Sequence, residues 1–148
     1  MRVYIYDLDG TVIDSSHRRK FDTEGNLRLS YWRSHNTRKD VFGDSLLPLA
    51  KHMKKKMIGN IVLICTAREI SQNDLDFLEN NGLRYDHIIS RPKGINTADH
   101  ILKYYQLKKF LKENPYLNNK RKIMYDDCIE NLQEISKLKI EGRLAWTS

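Results

Sequence analysis

The sequence predicts an α/β fold, a doubly wound (Rossmann-like) parallel sheet of about five strands. Two observations carry that prediction. Short apolar runs rich in β-branched residues alternate along the chain with segments whose apolar residues recur at helical spacing. Polar residues then cluster just past the carboxyl ends of three of those runs, which is where open parallel sheets bind ligands. Strands that alternate with helices imply right-handed crossovers.

The first run, Val3-Tyr4-Ile5-Tyr6, reads as a short buried strand that ends in Asp7-Leu8-Asp9-Gly10-Thr11. Side chains of an extended segment repeat every two residues, so Asp7 and Asp9 fall on one side. Gly10 allows a sharp turn. From Ser15 to Gly43 the chain is polar and irregular, with Tyr31 and Trp32 inside it and a hairpin expected around Glu24-Gly25-Asn26. Leu46, Leu47, Leu49, Ala50, Met53 and Met57 predict a helix from about Asp44 to Met57. Ile61 to Cys65 reads as the second strand and ends at Thr66-Ala67-Arg68-Glu69.

Ser71 is placed to cap a helix over about 71–81, with Leu75 and Leu78 on its inner face and Gly82 just past its end. Asp86 to Ser90 is the third strand, and Arg91-Pro92-Lys93-Gly94 a loop. Thr97 is placed to cap a helix from about Ala98 to Lys112, with Ile101, Leu102, Tyr105 and Leu111 facing the core, and Asn114-Pro115 breaks it. Lys122 to Tyr125 is the fourth strand and ends in Asp126-Asp127. Ile129, Leu132, Ile135 and Leu138 mark a last helix, and Arg143 to Trp146 the fifth strand.

The 148 residues are 40% hydrophobic and 30% charged, which suits one domain over 1–148 with a substantial core. No apolar stretch approaches the roughly 20 residues of a membrane helix. Asp7 and Asp9 interrupt any secretory signal at the start, so no membrane partner is expected. Cys65 and Cys128 have neither zinc-site spacing nor the number for a disulfide framework. No zinc is expected, and free thiols suit a cytoplasmic protein. The net charge of +7 favours a polyanionic partner. The basic clusters are Arg18-Arg19-Lys20, Lys51 to Lys56, Lys108-Lys109 and Lys120-Arg121-Lys122.

Two carboxylates at the end of a buried strand are costly, and a divalent cation is the usual compensation. Asp and Gly are also ordinary turn residues, so the pattern alone does not decide. Asp7-Leu8-Asp9-Gly10-Thr11 resembles the first motif of the haloacid dehalogenase (HAD) superfamily, D-x-D-G-[TV]. The resemblance implies a HAD fold in which Asp7 attacks phosphorus to form an aspartyl-phosphate. Asp9 would act as general acid, then base, and give Mg²⁺ its main-chain carbonyl. Thr66 would stand as the second motif's hydroxyl, holding a phosphate oxygen together with the backbone N–H that follows. Lys103, with Lys108 and Lys109 of the same helix as rivals, would be the third motif's cation, stabilising the nucleophile and the transferring charge. Asp126 and Asp127 would complete the Mg²⁺ site. The metal ligands implied are thus Asp7, Asp9, Asp126 and Asp127. In HAD proteins the first strand lies between the second and fourth, which would bring these strand ends together.

Within the superfamily the chain is similar, over nearly its whole length, to the 3′-phosphatase domain of bacteriophage polynucleotide kinase/phosphatase enzymes. Arg18 stands nine residues after Asp9, where that group has a functional Arg. Arg68 matches its second-motif Arg, although Ala67 stands where the group has Gly. Asp99 and Lys103, one helical turn apart on one face where Asp99 could orient or pair with the ammonium, match its Asp and Lys. The resemblance makes Arg18, Arg68 and Asp99 substrate-binding residues. No kinase P-loop motif occurs. Only about 25 residues separate Arg19 from Asp44, too few for an independent cap domain, so a minimal cap and an open site are expected. Tyr31 and Trp32 are candidates either to stack a terminal base at its rim or for burial in the core. The function expected is a Mg²⁺-dependent phosphomonoesterase acting on a phosphorylated nucleic-acid end, favouring the 3′ end, or on a nucleotide. A deoxynucleoside monophosphate phosphatase is the enzymatic alternative. A non-catalytic nucleic-acid-binding module on a HAD fold is the alternative from another class.

Overall fold

The computed structural model describes residues 1–24 and 28–146. β1 (Val3–Tyr6) is buried along its whole length, as suits a run of aliphatic and aromatic side chains with no charge. The chain continues through a two-residue strand, β2 (Ile13–Asp14), a 3₁₀ turn over Ser16–Arg18, and two short helices, α1 (Leu29–Ser34) and α2 (Arg38–Phe42). β3 (Ser45–Leu46) then pairs antiparallel with β2. Four helix–strand units follow: α3 (Leu49–Lys56) with β4 (Ile61–Cys65), α4 (Gln72–Asn80) with β5 (His87–Ile89), α5 (Asp99–Glu113) with β6 (Lys122–Asp126), and α6 (Ile129–Ile135) with β7 (Glu141–Leu144). The expected hairpin at Glu24-Gly25-Asn26 falls outside the described residues.

Five strands form one parallel sheet in the order β5-β4-β1-β6-β7. β1 therefore lies between the strands that end at Thr66 and at Asp126, as expected. The period-two alternation sorts the core onto two faces. Tyr4, Tyr6, Val62 and Ile64 join Leu49, Met53, Phe77 and Leu78 on the face covered by α3 and α4. Val3, Ile5, Leu63 and Cys65 join Leu107, Leu132 and Ile135 on the face covered by α5 and α6. Among the described residues no helix is long and apolar enough to cross a membrane.

Several local expectations need correction. The helix expected from Asp44 starts at Leu49, because Pro48 disfavours a helical residue before it and leaves Ser45–Leu46 extended. On α5, Ile101 and Tyr105 are exposed, and the buried positions are Leu102, Lys103 and Leu107. A charged residue occupies the inner stripe there, so a count of apolar residues rotates the helix onto the wrong face. Ala98 rather than Thr97 precedes α5. Phe77 is buried on α4 where Leu75 was expected. Ile129 is exposed. β7 is an exposed edge strand that starts two residues early, and Trp146 packs beyond its end against His52 and Tyr125.

Candidate active site

β1, β4 and β6 deliver their polar residues to one end of the sheet. Lys103, from the inner face of α5, reaches between the ends of β1 and β6. Its ammonium donates to Asp7 Oδ1 and to Asp126 Oδ2, both at 2.8 Å. Thr11 donates its hydroxyl to Asp7 Oδ2 at 3.0 Å, and Asn131 of α6 donates to Asp126 Oδ2 at 3.1 Å. The Cys128 backbone N–H donates to Asp126 Oδ1. These contacts compensate the burial of Asp126 and most of that of Asp7.

Asp127 is the next residue and is exposed. Oxygens of Asp7, Asp126 and Asp127 lie within 4.8 Å of one another. Burial and the nearby Asp126 push the Asp7 carboxyl well above its ordinary value, against the pull of Lys103. Burial and Asp126 also raise Asp127. Burial alone would lower the Lys103 ammonium, but the carboxylates of Asp126 and Asp7 outweigh it and hold it above its ordinary value. Three hard oxygen donors facing one lysine are short of positive charge, and that donor set fits Mg²⁺ or a similar divalent cation. Gly10 makes the approach possible. It has φ +79°, and a Cβ there would run into the Asp127 carboxylate.

Asp9 faces a different partner. The Arg68 guanidinium donates to both of its oxygens, from Nη2 and, at 3.2 Å, from Nε. The Ser15 hydroxyl adds a third contact at 2.5 Å. Burial works against ionisation of Asp9, but Arg68 outweighs it and takes the carboxyl down to about 2. Arg68 also donates to Asp74 Oδ1 at 2.5 Å, and Asp74 accepts from the Ser71 backbone N–H at 2.8 Å and from its hydroxyl at 3.0 Å. The start of α4 thus anchors Arg68.

Asp7, Asp9, Arg68, Asp99, Lys103 and Asp127 line one cavity of about 100 Å³, together with Arg19, Phe21, Ala67, Cys128 and Asn131. Thr66 stands behind that wall. It is fully buried, its hydroxyl oxygen accepts the Arg68 backbone N–H at 3.0 Å, and Ala67 and Arg68 are the residues of the loop that line the cavity. Asp99 does not pair with Lys103 as their spacing suggested; Arg91 donates to it at 2.8 Å. Arg18 is not on the cavity wall. It is 1% exposed, and every nitrogen of its guanidinium has a partner: Nε and Nη2 on Asp44 at 2.9 and 2.7 Å, Nη1 on the His35 carbonyl and Asn36. Trp32 is not at the rim either. It is fully buried, with the Arg18 and Arg68 guanidinium carbons 4.1 and 4.8 Å from its ring centroid. Tyr31 stacks on His35.

Sequence reasoning passed over Arg19, Phe21, Asp44, Asp74 and Asn131. The spacing Ser71-x-x-Asp74 is a capping-box signature that could have singled out Asp74. Asp44 carries no such signal, since its partner Arg18 lies 26 positions away.

Comparison with solved structures places the fold among HAD hydrolases. The chain is similar to a haloacid dehalogenase-like family hydrolase from Streptococcus pneumoniae, with a TM-score of 0.68 and 14% identity over 96% of this chain and 83% of that one. It is also similar to a HAD-superfamily hydrolase, subfamily IA, from Geobacter sulfurreducens, with a TM-score of 0.65 and 13% identity over 96% and 88%. A chain of the Pnkp1/Rnl/Hen1 complex gives a TM-score of 0.70 and 21% identity over 97% and 45%. The HAD fold expected from the first motif is thereby borne out, as is the likeness to the polynucleotide kinase/phosphatase group. Residues 1–129 match the bacteriophage T5 5′-deoxynucleotidase family, and the chain belongs to that family. The 5′-deoxynucleotidase of Escherichia phage T5 is 43% identical over 88 residues, which are 56% of this chain and 36% of that protein. The match thus spans little more than a third of that relative's length.

Proposed function

We propose that this chain is a Mg²⁺-dependent phosphomonoesterase that hydrolyses the phosphate of a deoxynucleoside monophosphate. The observation that carries the reading is the convergence of Asp7, Asp126 and Asp127 around Lys103 in a cavity of about 100 Å³. That space suits a phosphoryl group and is well short of the 300 Å³ or more of a whole-ligand pocket. The nucleoside then stays outside, and the chemistry is confined to phosphorus.

Asp7, Asp126 and Asp127, with the Asp9 carbonyl, would hold the Mg²⁺. When bound, the ion neutralises crowded carboxylates and phosphate oxygens together. An Asp7 carboxylate oxygen bonds to phosphorus as the ester P–O bond breaks, and the leaving oxygen takes a proton from Asp9. Asp9 then removes a proton from water, whose oxygen attacks phosphorus and breaks the aspartyl–phosphorus bond. Inorganic phosphate leaves and Asp7 is regenerated. Lys103 holds Asp7 in place and offsets the charge that builds at phosphorus. As Arg68 holds it, Asp9 is a carboxylate, the form that accepts a proton. The donating form requires the guanidinium to transfer to the entering phosphate.

The match to the 5′-deoxynucleotidase family supports a nucleotide as substrate, and the name of the phage T5 relative agrees. A second reading, a 3′-phosphorylated nucleic-acid end, is favoured by one feature. Among the described residues between Ser15 and Asp44 the chain forms a 3₁₀ turn and two short helices, which suits the minimal cap. Free thiols at Cys65 and Cys128 accord with a cytoplasmic setting. The test is turnover of deoxynucleoside 5′-monophosphates, a 3′-phosphorylated oligonucleotide and a 5′-phosphorylated oligonucleotide at equal concentration, with Mg²⁺ and with EDTA. Mg²⁺-dependent release of phosphate, fastest from the mononucleotides, is expected. Turnover unchanged by EDTA refutes the metal assignment. Faster release from the 3′-end transfers the assignment to the second reading.

A further inference from the structure

The cavity wall holds three cationic side chains: Arg19, Arg68 and Lys103. Two are already matched by carboxylates. Arg68 lies between Asp9 and Asp74, and Lys103 between Asp7 and Asp126. Arg19 differs. Among the described residues it has no carboxylate within ion-pair distance, and its Nε is buried without a hydrogen-bond partner. A buried guanidinium nitrogen with no acceptor is costly, and arginine matches phosphate oxygens in a two-pronged geometry. Arg19 acts on Asp9 and Asp14 only from beyond ion-pair distance, and is thus the cation of the wall most open to an entering anion.

Phe21, two residues further, is the only aromatic residue on the same wall among the described residues. Its ring is half exposed, and its centroid lies 5.6 Å from the Arg19 guanidinium carbon. A large apolar side chain left open at the mouth of a charged cavity suits a flat apolar partner. The cavity takes the phosphate alone, so the nucleoside lies outside it, and Phe21 is the exposed apolar side chain of the wall that is available to meet it.

We propose that Arg19 and Phe21 form the substrate clamp of this cavity, Arg19 receiving a non-bridging phosphate oxygen and Phe21 stacking on the base of a deoxynucleoside monophosphate. The inference rests on the phosphatase reading above and identifies how that site selects its substrate. It transfers to Arg19 the phosphate contact that sequence resemblance assigned to Arg18. Arg18, one residue earlier, points inward to Asp44 and Trp32.

The experiment measures kcat and KM for wild type, Arg19→Gln, Arg19→Lys and Phe21→Ala with Mg²⁺. The substrates are a deoxynucleoside 5′-monophosphate and an alkyl phosphate without an aromatic group. Arg19→Gln should lower kcat/KM about 10- to 100-fold on both substrates, with Arg19→Lys recovering part of the loss. Phe21→Ala should raise KM for the nucleotide about tenfold, a loss several times larger than its loss on the alkyl phosphate. Arg19→Gln within threefold of a working wild type overturns the phosphate contact. An equal Phe21→Ala loss on both substrates overturns the stacking. A folded wild type that hydrolyses neither compound overturns the clamp together with the phosphatase reading, so the two failures are distinguishable.

Discussion

Replacing Lys103 by Met tests whether one ammonium holds the carboxylate cluster together in the metal-free protein. The side chain is 2% exposed and reaches two carboxylates at 2.8 Å, Asp7 at 7% exposure and Asp126 at 0%. Methionine keeps most of the length and apolar stem and removes the charge. Two buried carboxylates then lose their shared counterion, and breaking a buried pair from one side costs about 3–5 kcal/mol. For a chain of this size that lowers Tm by about 6–20 °C. The cost does not grow further, because a buried carboxylate takes up a proton instead of remaining an isolated charge.

That escape gives the prediction a pH signature. Asp7 already lies well above the ordinary carboxyl value of 3.8 in the native state. A group raised on folding favours the native state at low pH, and that contribution is lost as pH rises through its native value. Without Lys103 the carboxyl rises further, so the deficit of Lys103→Met should shrink as pH falls from 7 toward about 4.5. It should also shrink on adding Mg²⁺. Urea unfolding of both proteins at the two pH values, with and without Mg²⁺, is the assay. A deficit under about 1 kcal/mol at pH 7 without metal, or one indifferent to both pH and Mg²⁺, would refute the electrostatic account.

Four further outcomes are expected. Asp7→Asn should abolish phosphate release while leaving the circular dichroism spectrum unchanged; activity within tenfold of wild type would remove Asp7 as nucleophile. Mg²⁺ at about 100 times its Kd should raise wild-type stability by about 2.7 kcal/mol. Gly10→Ala, strained at φ +79° and crowding Asp127, should be destabilised by about 1–3 kcal/mol and lose most of that Mg²⁺ response in a thermal melt. Asp9, lowered from 3.8 to about 2, contributes stability that is present above pH 3.8 and fades as pH falls toward 2. The gap between wild type and Asp9→Asn, on the order of 2 kcal/mol at pH 6, should therefore close across that window. A gap that stays constant down to pH 2.5 would show that the Arg68 contact does not lower Asp9.

The sheet was legible because its central strands β1, β4 and β6 are largely apolar on both faces and helices separate them. Ile61–Cys65 needs no tertiary information to be read as a strand, and the structure returns the same bounds. The three strand ends that carry Asp7, Arg68 and Asp126 were legible for the same reason. What the sequence hid was direction. Arg18 and Arg19 are adjacent residues of one basic cluster, but they leave the 3₁₀ turn in different directions, one toward Asp44 and the other toward the cavity. Long-range partners decide that outcome. Asp44 sits 26 positions from Arg18, and no local spacing links them. Lys103 posed the reverse problem: a lysine on the inner stripe of α5 looks like a surface residue until the ends of β1 and β6 are placed beneath it.

The location of the positive charge bears on which substrate the site takes. The net charge of +7 suggested a polyanion, but little of it is at the cavity. Lys54, Lys55 and Lys56 close α3, and Lys120, Arg121 and Lys122 lead into β6, so both groups lie at the amino end of the parallel strands, opposite the cavity. Lys108 and Lys109 are exposed on α5. The cavity itself is lined by three cations against the four carboxylates of Asp7, Asp9, Asp99 and Asp127. Without a metal it does not attract phosphate, and with one it has charge for a single phosphoryl group. A site that tracked a strand would neutralise several phosphates, and kcat/KM would then fall with log[salt] at a slope of about −0.7 per phosphate. The expected slope for a phosphorylated oligonucleotide is shallower than about −1, with deoxynucleoside monophosphates nearly as insensitive. A slope steeper than about −2 for the oligonucleotide would mean that a basic track reaches the cavity and would return the assignment to a nucleic-acid end.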